Sequence, residues 1–392
     1  MIPYGKHHID EADIKAVVEV LRSGTLTQGR YVEAFEKAVA DYVGCRFAVA
    51  VSSGTAALHL SVLAAGVGPG DAVLTSPITF VASANAALYV GASVVFADVA
   101  ADTVNLSPVA VKQALDAHVN VRAVIPVHYA GLPCDMIPIK QHADRVGAAV
   151  IEDAAHALGA SYPDGTRVGS CTHSLMTIFS FHPVKAVAAG EGGIVTTNDE
   201  SVYRKLLRLR SHGVNKLDDL LLLPEQAADA EGPNPWYYEM QELGFHYRIT
   251  DIQSGLATSQ MKQLDTFMAH RKALVARYDE AFASPPLLMR PAQTIDKSAS
   301  GNHIYPVRID FAAAGKTRRQ VMLSLREKGI GTQVHYIPVP MHPIYQRMGH
   351  VPGDYPETMS YYSEALTLPL FFDFSFDQQD FVIATLQEIL RP

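Results

Sequence analysis

Cysteine is scarce in this chain: Cys45, Cys134 and Cys171 are the only three in 392 residues, and no two form a CxxC pair. That spacing suits neither a disulfide framework nor a thiolate metal site. A reducing, cytoplasmic setting and no bound metal are the expectations. Charge is scarce too, with only 18% charged residues, a formal net charge of -8 and no run of lysine or arginine. Without such a run, the counterion-releasing attraction to nucleic acid or to an anionic membrane is missing, and neither partner is expected. Long apolar runs are also lacking. The most apolar stretch, Ala48 to Ala65, is broken by SSGT and His59 and reads as a buried strand followed by a helix. The opening MIPYGKHHIDEAD has no apolar core of the signal-peptide kind.

What is present is apolar material with a clear pattern. Hydrophobic residues make up 48% of the chain, ample for a large core and, at this length, for two domains. Asp10 is placed to cap a helix carrying Ile14, Val17, Val18 and Leu21 at helical spacing, with Gly24 where a C-terminal cap belongs. A second amphipathic helix is predicted over Tyr31 to Tyr42. Short apolar runs then alternate with helix-length segments: FAVAV at 47, AVLTS at 72, SVVFADV at 93, AVIPV at 123, AAVIED at 148, LMTIFSF at 175 and, last, GIVTTN. Apolar on both faces, most of them read as parallel strands of an α/β sheet.

The sheet pattern ends after a helix around Val202 to Arg210, and Asn215 to Trp236 reads as a surface excursion. Helices resume at Asp251 to Asp265 and Phe267 to Ala283, and SPPLLMRPAQ marks a hinge into a smaller unit. That unit is expected to hold a strand at HIYPVRI, a helix over Arg318 to Lys328, a strand at TQVHY and a final helix over Asp377 to Leu390. The boundary is placed near 250: a large domain over 1–250, then a bridging helix and a small α+β domain over 251–392.

Several residue clusters fall at the ends of predicted strands, where open α/β sheets place their ligands. In SSGTAALHL a Gly-containing turn opens a helix, whose free N–H groups suit a phosphate, although the same residues make an ordinary helix cap. In SPITFVASANA, Phe80 opens a helix after a strand and is placed either to lie against a planar ligand or to pack in the core. In VIEDAAHALGA, Glu152, Asp153 and His156 leave an apolar strand. A carboxylate there needs a cationic partner, such as a protonated pyridine nitrogen, or else serves as a helix cap. FSFHPVKAVAAGEGG is the most informative. Lys185 sits among Phe179, Phe181, Pro183, Val184, Ala186 and Val187, and apolar surroundings push a lysine toward its neutral, nucleophilic form. Ser180 is a donor for a phosphate, and the glycines of GEGG let the backbone pass close to a neighbour.

Taken together, LTQG near 26, TSPITFVASAN, SFHPVKAVAAGEGG, SHG, GFHYRITDIQSGLATSQMKQLD and VHYIPV resemble the DegT-type family of sugar aminotransferases, over nearly the whole chain. The family is a branch of the fold-type I enzymes that use pyridoxal 5′-phosphate (PLP). The resemblance implies a mostly parallel mixed sheet in a large PLP-binding domain, a small C-terminal α+β domain and a homodimer with shared active sites. It also implies that Lys185 is the Schiff-base lysine and that Asp153 pairs with the pyridinium nitrogen. His156 would bind the ring oxygen, Phe80 would stack on the ring, and Gly54, Thr55, Ala56 and Ser180 would hold the phosphate. His182, His335 and Tyr336 would face the substrate. The segments are most similar to the pseudaminic acid branch, which implies transfer from L-glutamate, leaving 2-oxoglutarate, to C4 of UDP-2-acetamido-2,6-dideoxy-β-L-arabino-hexos-4-ulose. The residues by themselves do not choose among UDP, GDP and dTDP carriers, or between C3 and C4.

In one place the sequence departs from the family. Relatives read GYNYR or GFNYR where this chain has GFHYR, and the family Asn reaches across the dimer to the partner's PLP phosphate. His246 stands there instead, and an imidazole can still donate a hydrogen bond. Two rivals are weaker: a PLP-dependent sugar dehydrase, whose relatives carry His in place of the lysine, and a non-catalytic regulatory protein on the same fold.

Overall fold

The protein was analysed as a computed structural model, which describes residues 1–216, 221–283 and 288–391. Its main body is a seven-stranded sheet made of β1 (Phe47–Val51), β2 (Ala72–Thr75), β3 (Ser93–Phe96), β4 (Val121–Ile125), β5 (Ala149–Asp153), β6 (Met176–Ser180) and β7 (Gly193–Thr197), in the order β1-β7-β6-β5-β4-β2-β3. Adjacent strands from β6 through to β3 pair in parallel. By contrast, β7 runs antiparallel to both β6 and β1. The sheet is therefore mixed and mostly parallel, as expected, with the one reversal at GIVTTN.

Alternation along each strand supplies two cores. Ala48, Ala50 and Val150 join Val32, Phe35 and Val39 of helix α2 (Arg30–Val43) on one face. On the other face, Val49, Val51 and Ile151 join Ala57, Leu58 and Leu60 of helix α3 (Gly54–Ala64). Both faces are covered, so the strands read as continuous apolar runs. The N-terminal helix, α1 (Glu11–Arg22), starts at a capping box of Asp10 and Asp13, and Gly24 follows its C-cap with φ of 85°.

The smaller unit packs a three-stranded antiparallel sheet of Met289–Pro291, Tyr305–Ile309 and Ala365–Leu368 against helices Leu264–Ala281, Arg318–Glu327 and Phe376–Leu390. The helix expected over Asp251 to Asp265 spans Asp251–Met261, and the next begins at Leu264. TQVHY does not form a strand. Only Gln333 makes a bridge, to Thr367, because the segment turns its side chains toward a cavity rather than along a ladder. The excursion after residue 213 carries only short pieces, among them the pair Val214–Asn215 with Glu239–Met240. Residues 217–220 within it, and 284–287 of the expected hinge, lie outside the described residues.

Candidate active site

The carboxyl ends of β5 and β6 and the start of α3 meet the 333–337 segment of the smaller unit around one cavity of about 750 Å³. That size is in the range of small-molecule sites. Gly54, Thr55, Phe80, Asp153, His156, Ser180, His182, Lys185, His335 and Tyr336 all line it. These residues are spread from 54 to 336, and only the fold brings them together.

Lys185 follows β6 on a turn closed by its own N–H donating to the His182 carbonyl at 2.8 Å. Burial lowers its amine from the usual lysine range to about 8, and Asp153 opposes that shift. A nucleophilic amine is therefore accessible near neutrality. Asp153 ends β5 almost wholly buried. Its Oδ2 accepts from Ser83 Oγ at 2.6 Å and its Oδ1 from the Ala155 N–H at 3.1 Å. Ser83 is in turn 2.7 Å from Thr79 Oγ1, on the turn before helix α4 (Ala82–Tyr89). The neighbouring Glu152 points the other way, into a sealed network with His128, Tyr162, Ser174 and Thr177. Burial disfavours its charge, but hydrogen bonds from that network, His128 foremost, hold its carboxyl below the ordinary range.

Three imidazoles surround Lys185. His156 Nε2 is 3.0 Å from the Tyr336 hydroxyl, and its Nδ1 is buried without a partner among the described residues. Burial, then Lys185 and His335, keep His156 well below the usual histidine range. Burial, then Lys185, lowers His335 to about 4. Its Nδ1 is 2.9 Å from Thr367 Oγ1, and the hydroxyls of Tyr129 and Tyr361 both donate to its carbonyl, at 2.8 and 2.9 Å. His303, absent from the sequence-based set, lies with Nε2 3.5 Å from Lys185 Nζ and its ring 4.4 Å from that of His156. Tyr4 was missed as well. It lines the same cavity, 5.5 Å from the His335 ring. The one available signal for His303 was a histidine just before an apolar strand, which is weak by itself.

Two expectations need adjustment. Phe80 does not open a helix, because α4 begins at Ala82; it lies on the preceding turn and is 59% exposed. An aromatic face left uncovered on a cavity wall is a platform for a planar group rather than core packing. Ala56 does not line the cavity: its N–H donates to Ser53 Oγ at 3.1 Å, the side-chain cap of α3, and is not free for a phosphate. His246, expected at a partner's phosphate rather than its own chain's, lies outside this cavity, exposed and stacked on His212 at 5.4 Å.

The remaining features fit a PLP-sized anion with a planar ring. A Cβ on Gly54 would come 2.9 Å from Ser180 Cβ, so glycine keeps the turn beside that hydroxyl open. One on Gly193 would come 2.3 Å from the Ser53 carbonyl oxygen, which is why the last glycine of GEGG is needed where β7 meets the start of α3. A buried carboxylate, a lowered lysine amine, an exposed aromatic face and an unpartnered imidazole nitrogen share this one cavity.

Fold and cavity together define a PLP enzyme of fold type I. The chain belongs to the DegT/DnrJ/EryC1/StrS aminotransferase family, whose model matches residues 7–387. It is 39% identical over 393 residues to the spore coat polysaccharide biosynthesis protein SpsC of Bacillus subtilis, covering 100% of this chain and 97% of that protein. Among solved structures, Helicobacter pylori PseC, an aminotransferase involved in the biosynthesis of pseudoaminic acid, matches with a TM-score of 0.89 at 28% identity, covering 99% of each chain. Spr1654 of Streptococcus pneumoniae, in its PLP form, matches with a TM-score of 0.87 at 28% identity, over 99% of this chain and 98% of that one. The protein is thus a sugar aminotransferase, and its cofactor is PLP. Among the described residues no helix is long and apolar enough to cross a membrane, and no group of three or more His, Cys, Asp or Glu is placed to hold a metal ion.

Proposed function

We propose that this aminotransferase moves the amino group of L-glutamate to C4 of a nucleotide-linked 4-keto-6-deoxy sugar, with UDP-2-acetamido-2,6-dideoxy-β-L-arabino-hexos-4-ulose as substrate and 2-oxoglutarate as the keto acid released. The observation that carries the reading is the pairing of Lys185, its amine lowered to about 8, with the buried Asp153 in one cavity. PLP supplies the electron sink for the carbon next to the transferred nitrogen. Lys185 takes the proton from that carbon and returns it on the other side of the exchange. Asp153, oriented by Ser83, keeps the pyridine nitrogen protonated. His156 serves the ring oxygen, Phe80 lies against the ring, and Gly54, Thr55 and Ser180 hold the phosphate. Ala56 contributes only through the helix it helps to start.

His182, His335 and Tyr336 face the remaining space and are assigned to the sugar nucleotide. The choice of sugar is supported by the likeness to PseC. The higher identity to SpsC favours a second reading, in which a different nucleotide keto-sugar feeds a surface polysaccharide. The chain works as a cytoplasmic homodimer in this proposal, with His246 completing the partner's phosphate site. A panel of keto-sugar nucleotides differing in base, ring configuration and keto position, assayed with L-glutamate, tests it. The β-L-arabino UDP sugar should be aminated faster than its D-xylo isomer. Equal or reversed preference removes the substrate assignment.

A further inference from the structure

We propose that His303 is the hydrogen-bond acceptor that holds Lys185 Nζ while that amine is free, keeping it aimed into the cavity between proton transfers. The proposal rests on Lys185 being the lysine that works on the cofactor. Nζ has one hydrogen-bond partner among the described residues, His303 Nε2, at 3.5 Å. That is the long end for such a bond, a common state of catalytic contacts before ligands bind. A lysine donates here, so Nε2 must present its lone pair and the ring proton must sit on Nδ1.

The imidazole is held from several directions. Its residue is only 5% exposed. The His303 backbone N–H donates to the Ala130 carbonyl at 2.9 Å, and its backbone carbonyl accepts from Arg271 Nη1 at 3.1 Å. Just before it, a Cβ on Gly301 would come 2.8 Å from the His156 carbonyl oxygen, so the two backbones are pressed together and the rings meet at a tilt of 38°.

The surrounding charges decide which partner carries the proton. Burial, then Lys185, His156, Arg271 and His335, keep His303 far below the ordinary histidine range. Among the described residues, Asp153 is the one anion that bears on Lys185, and it favours the ammonium. A proton gained by Lys185 therefore stays on Lys185. His303 stabilises the resulting buried ammonium without neutralising it, and the proton remains available for return.

The test uses protein loaded with pyridoxamine 5′-phosphate, in which Lys185 is free. Its titration is read from the pH dependence of acetylation by acetic anhydride, quantified on the Lys185 peptide. His303→Phe keeps a flat ring beside His156 and removes the acceptor, whereas His303→Asn retains one. With Phe, the half-labelling pH should fall by about one unit, and in the PLP-loaded protein the deuterium isotope effect of 2-deuterated glutamate on its half-reaction should rise. The Asn protein should lie nearer wild type in both. Unchanged half-labelling pH and isotope effect in a Phe protein that holds its cofactor would overturn the proposal, leaving His303 a packing residue. If the Phe protein does not hold its cofactor, ¹⁵N-histidine spectra of wild type decide instead, with the His303 signals assigned through the Asn variant. A bare Nε2 and protonated Nδ1 between pH 6 and 9 support the proposal, and an Nε2–H or an imidazolium overturns it. The labelling and the spectra need neither glutamate nor sugar, so failure of the substrate reading would leave them intact.

Discussion

Ser83 Oγ donates to Asp153 Oδ2 at 2.6 Å, across 70 positions of sequence. The carboxylate at the end of β5 is thereby aimed by the first turn of α4, and Thr79 extends the same chain of hydroxyls. Asp153→Asn should keep the fold and much of the PLP content while lowering turnover by orders of magnitude, because a neutral amide cannot hold the pyridine nitrogen protonated. Ser83→Ala should cost about tenfold, the worth of one hydrogen bond of ~1.5 kcal/mol to a charged group. Single-turnover rates measure both. Wild-type rates in the Asn protein would reduce Asp153 to a cap.

Two glycines of GEGG, Gly190 before β7 and Gly193 at its start, should respond in opposite degree. An alanine at Gly193 would drive its Cβ to 2.4 Å from the Ser53 carbonyl carbon and 2.7 Å from the Gly54 nitrogen, and backbone cannot step aside as a side chain can. Gly193→Ala should lose PLP and about 3 kcal/mol of stability. Gly190 has φ of 80° with nothing within 4 Å of a built Cβ. Gly190→Ala should cost only the backbone strain, ~1 kcal/mol. Denaturant titration compares them, and equal losses would contradict the close contact.

Much of this site was legible because its chemistry lies in local strings: a lysine among apolar residues, a carboxylate closing an apolar strand, glycines at a crowded junction. What was not legible depends on partners distant in sequence. His303 meets Lys185 across 118 positions, and Ser83 is an ordinary helical serine until Asp153 is placed beside it. The direction of β7 was hidden because a strand buried on both faces shows no polarity. Met289–Pro291 and Ala365–Leu368 are too short, at 3 and 4 residues, to give a periodic signal.

The lowered amine of Lys185 has a consequence for stability. Unfolded, its pKa returns to 10.5, whereas in the folded, cofactor-free chain it is about 8. Between those values the unfolded chain binds more protons, so stability from this group rises with pH across the interval and its full cost is felt below 8. Lys185→Met should therefore be the more thermostable cofactor-free protein at pH 7, by on the order of 1 kcal/mol per pKa unit, reduced by screening from water in the cavity. The gap should close toward pH 10. A gap that is constant with pH in thermal denaturation would mean that the amine is not perturbed.

His246 gives the last prediction. It is exposed, bridges Ser211, stacks on His212 and lines no part of its own chain's cavity. If it serves a phosphate, that phosphate belongs to a second copy. His246→Ala should then weaken PLP retention by roughly 1–3 kcal/mol, the worth of one donor to a buried dianion, while His246→Asn preserves it. Mixing Lys185→Ala with His246→Ala protein makes the sharper measurement, provided each is impaired alone and subunit exchange is verified. A mixed dimer has one site carrying both defects and one carrying neither, so part of the activity should return. No recovery after verified exchange would place His246 outside the partner's site and end the shared-site proposal.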